Sequence, residues 1–210
     1  MRRLRLGLGL VLAALVIAGG VWVWWQLGAG GRPRTVTKSQ AEIAKLLDTA
    51  GWVSPHLAGA RLYVIVHGDC TDCSAFEASE FAKLQAAGVD TRVIAVARAD
   101  LNGQARSTPA ERTTVAELWV NRSWSLYQRW TTAPATSWTA SGLTAADGDA
   151  ARTAVVEAGR KSVADLAPLL KANGIHAGFP TFVWWDKAGE MRACVCKAAS
   201  FGAIARELGA

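Results

Sequence analysis

The sequence predicts an α/β domain, a mixed central sheet flanked by helices, with a helical insertion and one N-terminal transmembrane helix in front of it. Three observations predict it. Short β-branched runs of strand length, RLYVIV from Arg61 to Val66, TRVIAVA from Thr91 to Ala97 and TFVWW from Thr181 to Trp185, alternate with helical patterns. Between Arg98 and Gly174 the pattern is helical and polar. The chain also opens with MRRLR and then runs apolar and uncharged from Leu6 to Trp25.

That apolar run spans about 30 Å at 1.5 Å per residue, the thickness of a bilayer core. Arg2, Arg3 and Arg5 place the N-terminal end in the cytoplasm, and Trp22, Trp24 and Trp25 suit the opposite interface. A cleaved signal peptide also begins with arginines, but its apolar core is usually shorter and ends in a small-x-small site. Residues 1–34 are therefore read as a cytoplasmic stub, an anchor and a linker, and residues 35–210 as one exported domain. Either form of the N-terminus delivers that domain to an oxidising compartment.

Gly28 to Thr37 reads as linker. Ser39 then caps a helix through AEIAKLLDTAG that stops at Gly51, and the Arg61 to Val66 strand follows. The stretch SAFEASEFAKLQAAG after Cys73 places Phe76, Phe81 and Leu84 on one side of a helix ending at Gly88. In the insertion, at about 98–174, Thr108 with Pro109 starts one helix, and further helical stretches cover Ser123 to Trp130, Gly148 to Ala158 and Ser162 to Ala172. Asp186 to Gly189 turns the Thr181 to Trp185 strand into another, Glu190 to Cys196, before a terminal helix from Ser200.

The net charge of +6 resembles that of a nucleic-acid binder until it is divided along the chain. Five of the 23 basic residues lie at or before Arg34, which leaves 18 basic against 17 acidic side chains in the domain. A nearly neutral domain does not support a nucleic-acid surface, and no nucleic acid is expected among its partners.

The chemistry is carried by HGDCTDCSAF. Cys70 and Cys73 sit three apart, immediately after a strand and at the start of a helix. Free backbone N–H groups and the positive end of the helix dipole lower a thiol's pKa there, and only the thiolate is a nucleophile. Cys70 is the expected attacking thiol, exposed. Cys73, one turn on and buried, is the expected resolving thiol. Asp72 and His67 stand close enough to tune the pair. The Gly178-Phe179-Pro180-Thr181 segment opens the next strand, where a cis proline would turn the chain beside the cysteines and leave Phe179, Pro180 and Thr181 to meet an incoming peptide.

In this order of elements and motifs the chain resembles the thioredoxin superfamily over roughly Leu62 to Leu208. GIHAGFPTFVWWDKAGE looks like the G-V-x-G-T-P segment of its bacterial disulfide-isomerase branch, the DsbC and DsbG type. The resemblance implies a thioredoxin-like fold, Cys70 as nucleophile, Cys73 as its partner and Pro180 as the cis proline. It implies a thiol:disulfide oxidoreductase of the bacterial inner membrane, single-pass, with its catalytic domain in the periplasm and no cofactor. The implied partners are exported cysteine-containing proteins, a membrane electron donor or acceptor, and the bilayer. Phe179 stands where that branch usually has threonine, Thr71-Asp72 separates the cysteines, and the anchor stands where the branch has the dimerisation domain on which isomerase activity leans, so the implied activity is left open between disulfide isomerase and reductase.

Two other readings stay open from the sequence. Cys70, Cys73, Cys194 and Cys196 could form a tetrahedral zinc site. A thioredoxin scaffold could also serve as an assembly module without catalysis, because fold does not fix function. For Cys194-Val195-Cys196, strand alternation puts both sulfurs on one face with Cα atoms about 6.6 Å apart, a strained and accessible second redox pair. Two small buried hydrophobes are the plainer alternative.

Overall fold

The structure is a computed structural model that describes residues 31–134 and 136–210. Its elements, in order, are β1 (Arg34–Thr35), α1 (Gln40–Thr49), β2 (Arg61–Val66), α2 (Thr71–Ala86), β3 (Asp90–Ala95), α3 (Pro109–Asn121), α4 (Trp124–Thr132), α5 (Ala150–Lys171), β4 (Thr181–Trp185), β5 (Met191–Cys194) and α6 (Ala198–Leu208). The expected anchor, Leu6 to Trp25, lies outside the described residues. Among those described, no helix is long and apolar enough to cross a membrane.

The strands form one five-stranded sheet in the order β1-β5-β4-β2-β3. β2 and β3 run parallel, Val64 opposite Val93, while β4 is antiparallel to β2, with Ile65 opposite Thr181. β4 and β5 are the expected hairpin, Phe182 facing Cys194. The whole is mixed α/β and compatible with a thioredoxin-like fold.

β2 is β-branched and buried on both faces, so its side chains divide between two cores. Leu62, Val64 and Val66 join Phe76 and Leu84 of α2 and Phe201 and Ile204 of α6. Tyr63 and Ile65 join Ile43 and Leu47 of α1 and Leu166 and Leu170 of α5. Phe76 is the hub of the first core, its ring 4.6 Å from Phe182 and 5.0 Å from Phe201. Fully burying one such side chain stabilises by about 1.5–3 kcal/mol. All four cysteines lie in that first core.

Four local expectations are corrected. Arg34 and Thr35, read as linker, pair with Ala193 and Arg192 as an edge strand, too short to leave a periodic signal. Ser39 occupies the cap position of α1 but makes no capping bond, because its backbone is left-handed at φ 54 and turns the hydroxyl away from the first amides. The two stretches Gly148 to Ala158 and Ser162 to Ala172 are one continuous helix, α5. Gly159 does not break it; a Cβ there would sit 3.2 Å from Trp119 Cζ2, so the glycine admits an indole. β5 ends at Cys194, not Cys196.

Other expectations hold. Thr108 accepts from the Glu111 N–H at 3.0 Å with Pro109 in the first turn. Trp184 is buried, while Trp185, on the opposite face, is partly exposed beneath the Arg61 guanidinium, 5.5 Å away. Trp130 is core, and Trp119 and Trp124 pack half-buried against it.

Candidate functional site

β2 delivers the chain to the site, and the turn that follows is closed by the Cys70 N–H donating to the His67 carbonyl at 3.3 Å. Cys70 is the N-cap of α2, and its Sγ accepts from the Cys73 N–H at 3.1 Å. A helix's unpaired first amides are the groups a capping side chain satisfies, and here a sulfur does so. Cys70 and Cys73 are joined in a disulfide, Cα atoms 5.2 Å apart. Their relative exposures are 7% and 3%. Cys70 is thus less open than expected: its bond to Cys73 turns the sulfur onto the first turn of α2.

The second half of the site comes from the start of β4. The Phe179–Pro180 bond is cis. Because Thr181 is the last β4 residue in the ladder with β2, the 178–180 loop emerges beside His67 to Cys70. The Phe179 ring meets His67 edge-on, centroids 4.9 Å apart. Pro180 is buried, as is Thr181, whose Oγ1 donates to the Gly178 carbonyl at 2.6 Å and closes the loop on itself. Of these three expected substrate contacts, Phe179 is the most open. Asp72 stands half-buried in the first turn of α2, between the two cysteines.

His67 lies at the end of a charged chain. Its Nδ1 is 2.6 Å from Asp69 Oδ1, close in distance but out of hydrogen-bond alignment. Asp69 in turn takes Arg98 Nη2 on both oxygens at 2.6 Å. Burial, with Arg98 behind it, holds the His67 pKa below its ordinary value despite Asp69. The ring next to the disulfide is therefore neutral near pH 7. For Asp69, burial acts against the carboxylate, but Arg98 and His67 outweigh it and its pKa falls.

Beneath Cys73 is a small cavity of about 100 Å³ lined by Val66, His67, Cys73, Glu77, Tyr127 and Trp130, among others. That volume accommodates water, and the cavity has polar walls. Tyr127 donates its phenolic hydrogen to Glu77 Oε1. Burial raises the pKa of Glu77 against the opposing pull of Tyr127 and Thr131, and it raises that of Tyr127 well above its ordinary value. Glu77 is four residues after Cys73, on the same helical face, and that spacing could have flagged it. Tyr127 is 50 residues away and carried no such signal.

Cys194 and Cys196 are also joined, Cα atoms 5.2 Å apart, at 1% and 0% exposure. The expected 6.6 Å assumed an extended strand through Cys196. The chain leaves the strand at Val195 and the pair is closed and buried, which removes the premise of accessibility. Cys194 shares the apolar core with Cys70 and Cys73. Val195 reaches the proline loop: a Cβ on Gly178 would come within 2.7 Å of Val195 Cγ1, so only glycine admits the valine there.

No family model and no curated protein matches this chain. The cysteine pair at disulfide distance in a mixed α/β fold is compatible with redox activity.

Proposed function

We propose that this protein is a thiol:disulfide oxidoreductase of thioredoxin-like fold, resembling the DsbC and DsbG catalytic domain, that exchanges disulfides with exported proteins through Cys70 and Cys73. The observation that carries the reading is the placement of a Cys70–Cys73 disulfide at the N-cap of α2, beside the cis Phe179–Pro180 loop. An ordinary structural bridge has no need of a helix dipole or of a peptide-sized loop next to it.

In the reduced protein the Cys70 thiolate attacks a substrate disulfide, forming a mixed disulfide and releasing one substrate thiolate, which takes up a proton. The Cys73 thiol loses its proton and attacks the Cys70 sulfur, releasing the second substrate thiol. The protein loses two electrons and the substrate disulfide gains them. The amides of α2 stabilise the Cys70 thiolate. Cys73 has little access to solvent, and Glu77 with the small cavity supplies a route for its proton. The Phe179 backbone pairs with the substrate chain as an added strand in this reading.

The N-terminal run fits an anchor in the bacterial inner membrane that holds the domain in the periplasm, where a membrane donor or acceptor resets the pair. Protease added to intact spheroplasts should digest the domain of the full chain; protection would refute the periplasmic placement.

Insulin reduction tests the activity. Cys70→Ser should abolish it, and Cys73→Ser should trap mixed disulfides with substrate. A Cys70→Ser protein as active as the parent would overturn the assignment.

A further inference from the structure

Beside the disulfide lies a larger cavity, of about 480 Å³, that the exchange mechanism does not use. It sits beyond the C-terminal ends of the parallel strands β2 and β3, the place where open α/β sheets hold ligands. Its walls include Gly68 and Asp69 from the loop before Cys70, Arg98 and Arg106 from the loop after β3, the first turn of α3, and the Trp130 ring. We propose that this cavity binds a carboxylate-bearing peptide segment, two or three residues long, attached to the cysteine that exchanges with Cys70. The proposal rests on the reading of Cys70 and Cys73 as an exchanging pair.

Four observations carry it. The volume falls in the range of small-ligand sites and exceeds what one side chain fills. Asp69 adjoins Cys70 in the chain, and consecutive Cα atoms are about 3.8 Å apart, so an occupant is within a few residues of the reacting sulfur. The charges in the walls are unequally used. Asp69 is matched by Arg98 and His67, and Glu111 is occupied by the Gly68 N–H at 3.0 Å. Arg106 is exposed and pairs with no carboxylate among the described residues, while Arg98 is turned onto Asp69. One unspent guanidinium therefore lines a cavity whose acids are already engaged. Guanidinium donors of this kind match carboxylates in charge and shape. Trp130 supplies apolar wall for the stem of the ligand.

Two sources share this chemistry: an acidic residue near the cysteine of a protein substrate, or a small peptide thiol with free carboxylates. Rapid mixing of the reduced full chain with two pairs of probes separates them. One pair is oxidised glutathione and its ethyl ester; the other is a disulfide-linked peptide with Glu, or Gln, two residues from its cysteine. The parent should favour the acidic member of at least one pair by about fivefold at low salt, and Arg106→Gln should bring that preference close to one. Discrimination within one pair alone identifies the source. A preference that Arg106→Gln leaves unchanged in both pairs overturns the proposal. S-methylglutathione, which cannot exchange, isolates binding from chemistry: its calorimetric affinity for the oxidised protein should fall about fivefold in Arg106→Gln. If no probe exchanges but this fall is seen, the cavity stands and the oxidoreductase reading fails. If exchange proceeds with neither a preference nor a change in affinity, the cavity assignment is wrong.

Discussion

The backbone N–H of Gly68 donates to Oε1 of Glu111 at 3.0 Å, so the loop that presents Cys70 is held by a helix 43 residues further along the chain. Glu111→Ala leaves that part-buried amide without its partner and should cost about 1 kcal/mol, the lower end for a buried donor. Glu111→Gln keeps an acceptor and should cost less. Urea denaturation of the oxidised proteins distinguishes them, and equal losses for the two variants would contradict the clamp. Gly68→Ala should destabilise as well, since its Cβ would lie 2.9 Å from Trp130 Cζ2 and 3.1 Å from Glu111 Cδ.

Glu77 gives a pH signature. Its folded-state pKa is raised, chiefly by burial, above the 4.5 of an unperturbed glutamate. A group of this kind contributes stability that is fully present below the unfolded value and is lost as pH rises through the folded one. Glu77→Gln removes the titration, so the stability of the variant relative to the parent should rise between pH 4 and neutrality. A difference that stays flat across that window would show that Glu77 ionises freely.

Asp72 places a carboxylate beside the Cys70 thiolate of the reduced form, and like charges disfavour that form. Asp72→Asn should raise the reduction potential by about 10 mV, equivalent to roughly 0.5 kcal/mol for a two-electron couple. Equilibration with glutathione buffers reads it directly; an unchanged or lower potential counts against the repulsion.

Cys194 and Cys196 should behave as a buttress. At 1% and 0% exposure neither sulfur offers the foothold that Cys70 keeps at 7%, so in the native protein they should resist reductant under conditions that open Cys70 and Cys73. The double alanine variant should lose about 1.5 kcal/mol of stability, the loop-entropy value for so short a ring. Mapping thiols through a redox titration checks the order. If the second pair opens together with the first, it belongs to the redox chemistry after all.

Much of the site was legible because it is local. β2 and β4 are uninterrupted β-branched and aromatic runs, and their bounds were read to the residue. Cys70, Cys73 and Pro180 announce themselves by spacing and by their position at element starts. What escaped was made by packing over distance. Arg98 meets Asp69 across 29 residues, and Glu111 meets Gly68 across 43. Helix α5 read as two stretches, and the reason a glycine sits within it, Trp119, lies on another helix. Cys196 was misplaced because nothing in an alternating pattern shows where a strand is let go.

The two-residue strand at Arg34 and Thr35 sets a leash length. It is stitched to β5, so the chain joins the sheet edge at Arg34, nine residue steps after Trp25, where the apolar run ends. Nine extended steps reach about 30 Å. If that apolar run is held in a bilayer, the domain stays within about that distance of the membrane surface. Its substrates are then those that pass within a domain's breadth of the lipid, and lengthening the leash should widen their range.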